Sequence, residues 1–364
     1  MKRYQATIIV LLVLFLVLPT TVWATQEDTW TTKEPMPRAS YGVKAAVVNE
    51  KIYVMNSDFN YEYDLESWST KTSMLTPRNR FALTSYQNKI YCIGGITESE
   101  SLGTNEVYDP ASDSWETKTA MPTPRHGLDA NVVNGKIYMI SGFIPHHLHP
   151  YNPTTFEFTD INDVYDIATD TWETKTPIPN PAGDYASAVV NNKIYIISEN
   201  CTQIYNPETD TWSYGTQPLR RVDIAGGVAT TGSMAPERIY VIGGRKRTLE
   251  VPYTQIYNPI NNTWSLGTPI PTPRYGFAIA AVNDQIYTIG GVTGAFVALE
   301  PKNNNEQYTP IGYGTVPPQN QQPTSETGNT EPFPLLEITL VATVCVILVA
   351  AVIIKKKKHQ HPKF

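Results

Sequence analysis

The sequence predicts an all-β fold of six four-stranded units closed into a ring, and three observations carry that expectation. The first is a tyrosine phrase that returns six times: NEKIYVMN (49–56), NKIYCIGG (88–95), NGKIYMISG (134–142), NNKIYIISE (191–199), ERIYVIGG (237–244) and NDQIYTIGG (283–291). Its tyrosines are Tyr53, Tyr91, Tyr138, Tyr195, Tyr240 and Tyr287, spaced by 38, 47, 57, 45 and 47 residues. The second is a turn-and-tryptophan phrase after each of the first five, as in VYDPASDSWETKT (107–119) and IYNPINNTW (256–264). The third is an orphan pair. Trp30 has no tyrosine ahead of it, and the QYTP of 307–310 has no tryptophan behind it. A period of 40–50 residues with aromatic landmarks predicts a six-bladed β-propeller, and the orphans predict that the N-terminal strand completes the last blade.

Each unit parses into the same four strands. A small, apolar first strand, such as YGFAIAAV (275–282), suits a crowded centre. Asn134-Gly135 or Asn191-Asn192 then suits a tight hairpin, because Asn and Gly tolerate positive φ. The second strand is β-branched and aromatic and ends where paired glycines let the chain bend. The third ends at Tyr-Asp-Pro or Tyr-Asn-Pro, with proline fixing the turn, and the fourth carries the tryptophan. Strands this short cannot bury a face alone. The N-terminal strand covers the edge that the last blade would otherwise leave bare.

The ends read differently. Lys2 and Arg3, an apolar run of 11 residues from Ile8 to Leu18, and Val22-Trp23-Ala24 describe a secretory signal peptide over 1–24. Near the other end, Ile338 to Ile354 is 17 residues without a charge, and Lys355–Lys358 follow. That pattern predicts a transmembrane helix over 335–354 and a basic cytoplasmic tail over 355–364, because loops rich in Lys and Arg stay inside. The stretch 311–334, dominated by Pro, Gln and Thr, is expected to be an extended stalk below a propeller spanning 25–310. The expected location is therefore the cell membrane, single-pass, with the propeller outside as a monomer.

Charge and cysteines narrow the chemistry. Taking the two positive charges of the head and the five of the tail from the net −6 leaves about −13 for the exported part. Such an acidic domain is poorly suited to nucleic acid, whose binding runs on Lys and Arg. Of three cysteines, Cys345 falls in the apolar segment, and Cys92 lies in an apolar strand phrase that suits a buried, inert thiol. Cys201 sits in a different unit, so this is not a disulfide-stapled fold.

Gly94-Gly95 and Gly243-Gly244, each followed by a tyrosine and a tryptophan, and Gly290-Gly291, followed by a tyrosine, resemble the Kelch-repeat family of β-propellers (the galactose-oxidase type) over residues 29–310. Asn56-Ser57, Ser141-Gly142 and Ser198-Glu199 depart from the double glycine. The resemblance implies a binding face made by the second-to-third-strand loops and the fourth-strand exits, with a protein or glycan as partner. It also implies that arginines at those exits reach the ligand: Arg78, Arg125, Arg221 and Arg274, with Arg38 lying two residues out of step. The residues themselves leave a second role open, in which these arginines bond neighbouring carbonyls and glue blades.

No cofactor, metal or catalytic residue is expected. His146, His147 and His149 in FIPHHLHPYN are dense enough to hold a metal with Asp160 or Asp163, but adjacent histidines in a proline-flanked loop lack the spacing of known sites. An exported carbohydrate-active enzyme, akin to sialic-acid epimerases or the copper radical oxidases, is the alternative to a non-catalytic binding module. Two glycosylation sequons occur, at Asn200 and Asn261.

Overall fold

A computed structural model of the chain describes residues 26–98, 100–145, 156–199, 201–221, 223–294 and 298–315. The expected signal peptide, transmembrane helix and basic tail lie outside these residues. Among the described residues no helix is long and apolar enough to cross a membrane.

Six four-stranded antiparallel sheets follow one another along the chain. The first blade runs Lys44–Val48, Lys51–Asn56, Phe59–Tyr63 and Trp68–Lys71. The first strands of the next five are Ala82–Tyr86, Ala130–Val133, Ala186–Val190, Gly226–Ala229 and Ala278–Val282. Each first strand packs against the next around the centre, and the sixth packs against the first, so the ring is closed. Small residues allow that crowding: at Gly227 an added Cβ would come within 2.8 Å of the Ala186 Cβ.

The hairpins form as the Asn-rich pairs predict. Asn134 and Gly135, Asn191 and Asn192, and Asn283 and Asp284 all have positive φ at both turn positions. The sixth blade closes as expected. Its order is Ala278–Val282, Gln285–Ile289, Asn305–Thr309 and then Thr29–Thr32, with Trp30 opposite Tyr308.

The tyrosine-tryptophan phrase is an inter-blade clamp. Trp115 Nε1 donates to the Thr72 carbonyl of the preceding blade at 2.9 Å, while Thr72 N donates to Asp113 at 2.8 Å. Tyr108 donates its hydroxyl to the same Asp113 oxygen at 2.6 Å. The triad recurs with Trp172, Asp170 and Tyr165 on Thr119, with Trp212, Asp210 and Tyr205 on Thr176, and with Trp264, Asn262 and Tyr257 on Thr216. Net stabilisation is about 1 kcal/mol per bond. Buried apolar side chains between adjacent sheets supply the rest of the core.

Long connections gather at one end of the ring, as the sequence predicts. Three of them fold into ribbons of their own: Phe143–Pro145 with Phe156–Phe158, Arg245–Lys246 with Leu249–Glu250, and Val292–Thr293 with Glu300–Pro301. The opposite end carries short hairpins and the 231–237 insert. There the Asp284 carboxylate accepts the backbone N–H groups of Thr231, Ser233, Met234 and Ala235. Of the expected stalk only 311–315 lie within the described residues, and they form a turn, with Gly314 N donating to Met234 O at 2.7 Å and Gly312 N donating to Glu27. Met234 of the insert and Glu27 give those backbone groups partners that an extended stalk would leave to water.

Candidate functional site

The five candidate arginines divide into two groups. Arg78, Arg125 and Arg274 are at most 1% exposed and sit inside the second, third and sixth blades. Arg78 donates to the carbonyls of Gly94, Thr76 and Cys92 and to Glu106 at 2.7 Å. Arg125 donates to Thr123 O, to Met139 O and to Asp163 at 2.7 Å. Arg274 donates to the carbonyls of Gly290, Thr272 and Thr288 and to Glu306. These guanidinium groups tie the strands of a blade together and do not face a ligand. A buried charge persists when it is paired, and each of these faces a buried carboxylate; Nε is bonded in Arg78 and Arg274 but not in Arg125. Arg221 and Arg38 are different: their side chains are 60% and 49% exposed and pair with Glu199 and Asp58.

Repeat register explains the split. Arg78, Arg125 and Arg274 each follow their tryptophan by ten positions, whereas Arg221 follows Trp212 by nine and Arg38 follows Trp30 by eight. The ten-position residue in the remaining blades is Ser40, Ala182 or Val222. The acidic partner disappears with the arginine. Glu106, Asp163 and Glu306 give way to Tyr61, Gln203 and Gln255. Gln203 and Gln255 instead bridge the backbone N–H and carbonyl of Asn180 and Arg220.

Two further candidates shift with this geometry. Asp163 is the buried partner of Arg125, so it is not available to a metal. His146, His147, His149 and Asn200 lie outside the described residues. Asn261 is exposed in the third-to-fourth-strand turn, with its Oδ1 accepting from Thr263 at 2.6 Å.

The candidate feature that sequence reasoning missed is at the mouth of the ring. Just before each first strand, one residue takes a left-handed conformation: Gly42, Arg80, Gly127, Asp184, Ile224 and Gly276, with φ between 51° and 66°. Four seams between them carry a backbone bond, including Gly42 N to Gly276 O at 2.7 Å and Asp184 N to Gly127 O at 2.8 Å. Glycine adopts this φ freely. Arg, Asp and especially β-branched Ile do so at a cost, and such strain concentrates at functional positions.

The ring encloses a cavity of about 650 Å³ lined by residues from all six blades. That volume is within the range of small-ligand sites. On one side two ion pairs span it, each skipping a blade. Lys44 of the first blade meets Asp129 of the third at 2.6 Å, and Arg80 of the second meets Asp184 of the fourth. Ser187 adds its hydroxyl to Asp129 and Asn131. The guanidinium of Arg80 lies over the Phe143 ring, 4.6 Å from its centre. Burial pushes the Asp184 carboxyl up, against the pull of Arg80 and Lys44. The other side carries Tyr41, Ile224, Tyr275, Phe277 and Leu299, with the Arg245 guanidinium over the Tyr275 ring, 5.4 Å from its centre.

Below Arg80, His126 is fully buried, stacked on Phe143 and bonded through Nδ1 to the Ser101 hydroxyl at 3.0 Å. Burial and the nearby Arg80 charge push its pKa down to about 4. It is a neutral, packed imidazole.

Residues 77–122 match the Kelch motif family, one repeat length across the second blade. Kelch-like protein 36 of Bos taurus is 24% identical over 306 residues, covering 76% of this chain and 45% of that protein. Kelch repeat and BTB domain-containing protein 12 of Homo sapiens is 27% identical over 168 residues, covering 38% of this chain and 26% of its own length. The solved structure of YjhT superposes with a TM-score of 0.64 at 14% identity, covering 76% of this chain and 96% of that one. The chain is a Kelch-repeat propeller. It spans less than half the length of these Kelch relatives, and the likeness to YjhT is one of fold.

A second cavity of this Kelch propeller, about 460 Å³, lies between the fourth and fifth blades, the two that pair a buried glutamine with a threonine before it (Thr202-Gln203, Thr254-Gln255). Glu199, Asp223, Arg220 and the half-buried, free Cys201 line it. Burial and the adjacent Glu199 carboxylate push Asp223 up to about 6. Cys92, the thiol an oxidase-like reading would need, is buried in the second blade against Arg78 at 3.1 Å, with its pKa pushed up to about 12. It is packed away from the mouth, as an inert core thiol.

Proposed function

We propose that this Kelch propeller is a non-catalytic binding module that engages its partner, a protein or a glycan, through the mouth of the ring. One observation carries the reading: three blades hold a charged or bulky side chain in a left-handed position that glycine fills in the other three, and all three line the same open cavity. The opposite end is built from short hairpins and a self-satisfied insert. The mouth's Lys44, Arg80, Asp129 and Asp184 are bonded to one another, which suits recognition better than proton transfer.

The reading extends to location. A signal peptide, a stalk and a single C-terminal span would display the propeller at the cell surface. The described chain leaves the ring at Thr309, on the end opposite the mouth, and 311–315 bonds to the insert there.

The test is capture of solubilised envelope proteins and of a glycan array by the full chain, with Lys44→Gln/Arg80→Gln compared against Glu237→Gln on the far end. Loss of capture in the mouth variant alone supports the reading. Capture that survives it moves the partner surface elsewhere.

A further inference from the structure

We infer that the mouth of this Kelch propeller is a receptor site for a free α-amino acid with an apolar side chain. The inference takes the mouth as the binding face from the module reading and goes beyond its macromolecular partner. The three non-glycine ring positions are a cation, an anion and a hydrocarbon: Arg80, Asp184 and Ile224. All three line one cavity. Their complement is a carboxylate, an ammonium and an apolar side chain on a single small molecule.

The surroundings fit that division of labour. Arg80 is held by Phe143 beneath it, which presents a planar fork to a carboxylate. Lys44 and Asp129 repeat the cation and anion one blade away, so both charged ends of the ligand find a second partner. With Arg80 on Asp184 and Lys44 on Asp129, each charge is already paired, and a ligand of single sign would leave one member of each pair bare. Only a dipolar ligand can enter both pairs and keep every charge matched, because an unpaired half-buried charge is costly. On the far side, Ile224, Phe277 and Leu299 offer apolar surface to the side chain, beside Arg245, whose guanidinium is stacked on Tyr275. Gly42 keeps the entrance clear, since a Cβ there would meet nothing within 4 Å.

The experiment is calorimetric titration of the full chain with L-leucine and L-phenylalanine, alongside N-acetyl-L-leucine, L-leucine methyl ester and glucuronate. The expected result is saturable binding of the amino acids, with each singly charged analogue weaker by about tenfold or more. Arg80→Gly and Asp184→Gly are the variants of choice. Glycine is native at three of the six ring positions, and circular dichroism checks that the ring stays folded. Arg80→Gly should erase the preference for L-leucine over its methyl ester, and Asp184→Gly the preference over its N-acetyl form. Equal binding of blocked and free amino acids, tighter binding of glucuronate, or no heat from any amino acid at millimolar concentration would overturn the proposal. A chain that ignores amino acids yet captures a macromolecule through Arg80 sinks this inference and leaves the module reading standing. A chain that binds L-leucine but captures no macromolecule upholds it and restricts the module to small ligands.

Discussion

The Tyr308 hydroxyl donates to the Asp28 carboxylate at 2.6 Å across 280 positions of sequence. The same oxygen accepts Thr268 N at 2.7 Å, and Trp30 donates to Thr268 O at 2.9 Å. Residues from the two ends of the propeller thus build the same clamp that the Asp113–Tyr108 pair builds inside the second blade.

Asp28→Ala is expected to destabilise the propeller by about 2 kcal/mol, the worth of charge-assisted bonds at a half-buried site. Asp28→Asn should be nearly neutral, because Asn262 performs the same task in the fifth blade. Urea unfolding of both variants checks this, and an equal loss in the two would mean that charge, not geometry, closes the ring.

Arg125→Ala should cost about 3–5 kcal/mol by leaving Asp163 buried and bare. Adding Asp163→Gln should recover much of that loss. The double variant reproduces the fourth blade, where Ala182 and Gln203 occupy the corresponding places. Differential scanning calorimetry of the single and double variants is the measurement. A double variant no better than the single would show that the glutamine bridge depends on its own blade.

His126 makes stability fall in acid. Its folded pKa of about 4 lies below the usual 6.5, so the unfolded chain takes up the proton first. The contribution of the neutral imidazole is whole above pH 6.5 and declines as pH falls toward 4, by up to about 3 kcal/mol. Asn79 holds the matching position in the second blade, so His126→Asn should fold and show a flatter profile between pH 4 and 6.5. An unchanged slope would assign acid sensitivity to other groups.

Asp223 acts in the opposite sense. Its folded pKa of about 6 is above the ordinary carboxylate value, so stability is lost as pH rises from about 4 to 6. Asp223→Asn should therefore raise the melting temperature at pH 7 and have little effect below pH 4. A lowered melting temperature at pH 7 would mean that the carboxylate is held by its neighbours more than it is opposed by Glu199.

The fold was legible because its signals are chemical. Tyrosine, tryptophan and Asn-Gly pairs recur at fixed offsets, and the Trp30 and Tyr308 orphans pointed to the closure. The arginines were legible in part. The ten-residue interval from tryptophan, together with Glu106, Asp163 and Glu306, marks Arg78, Arg125 and Arg274 as internal partners, while shared residue type alone grouped them with Arg221. The mouth was hidden for a physical reason. A left-handed backbone announces itself in sequence when glycine or asparagine fills it, and at Arg80, Asp184 and Ile224 neither does.

The closing strand has a consequence in time. Thr29–Thr32 is translated before any blade, yet its hydrogen-bonding partner, Asn305–Thr309, is translated after five blades are complete. The earliest strand to leave the ribosome is therefore the last to find its place. Until then both it and the growing arc keep a bare edge, and any interruption of synthesis before Asn305 yields an open arc instead of a ring.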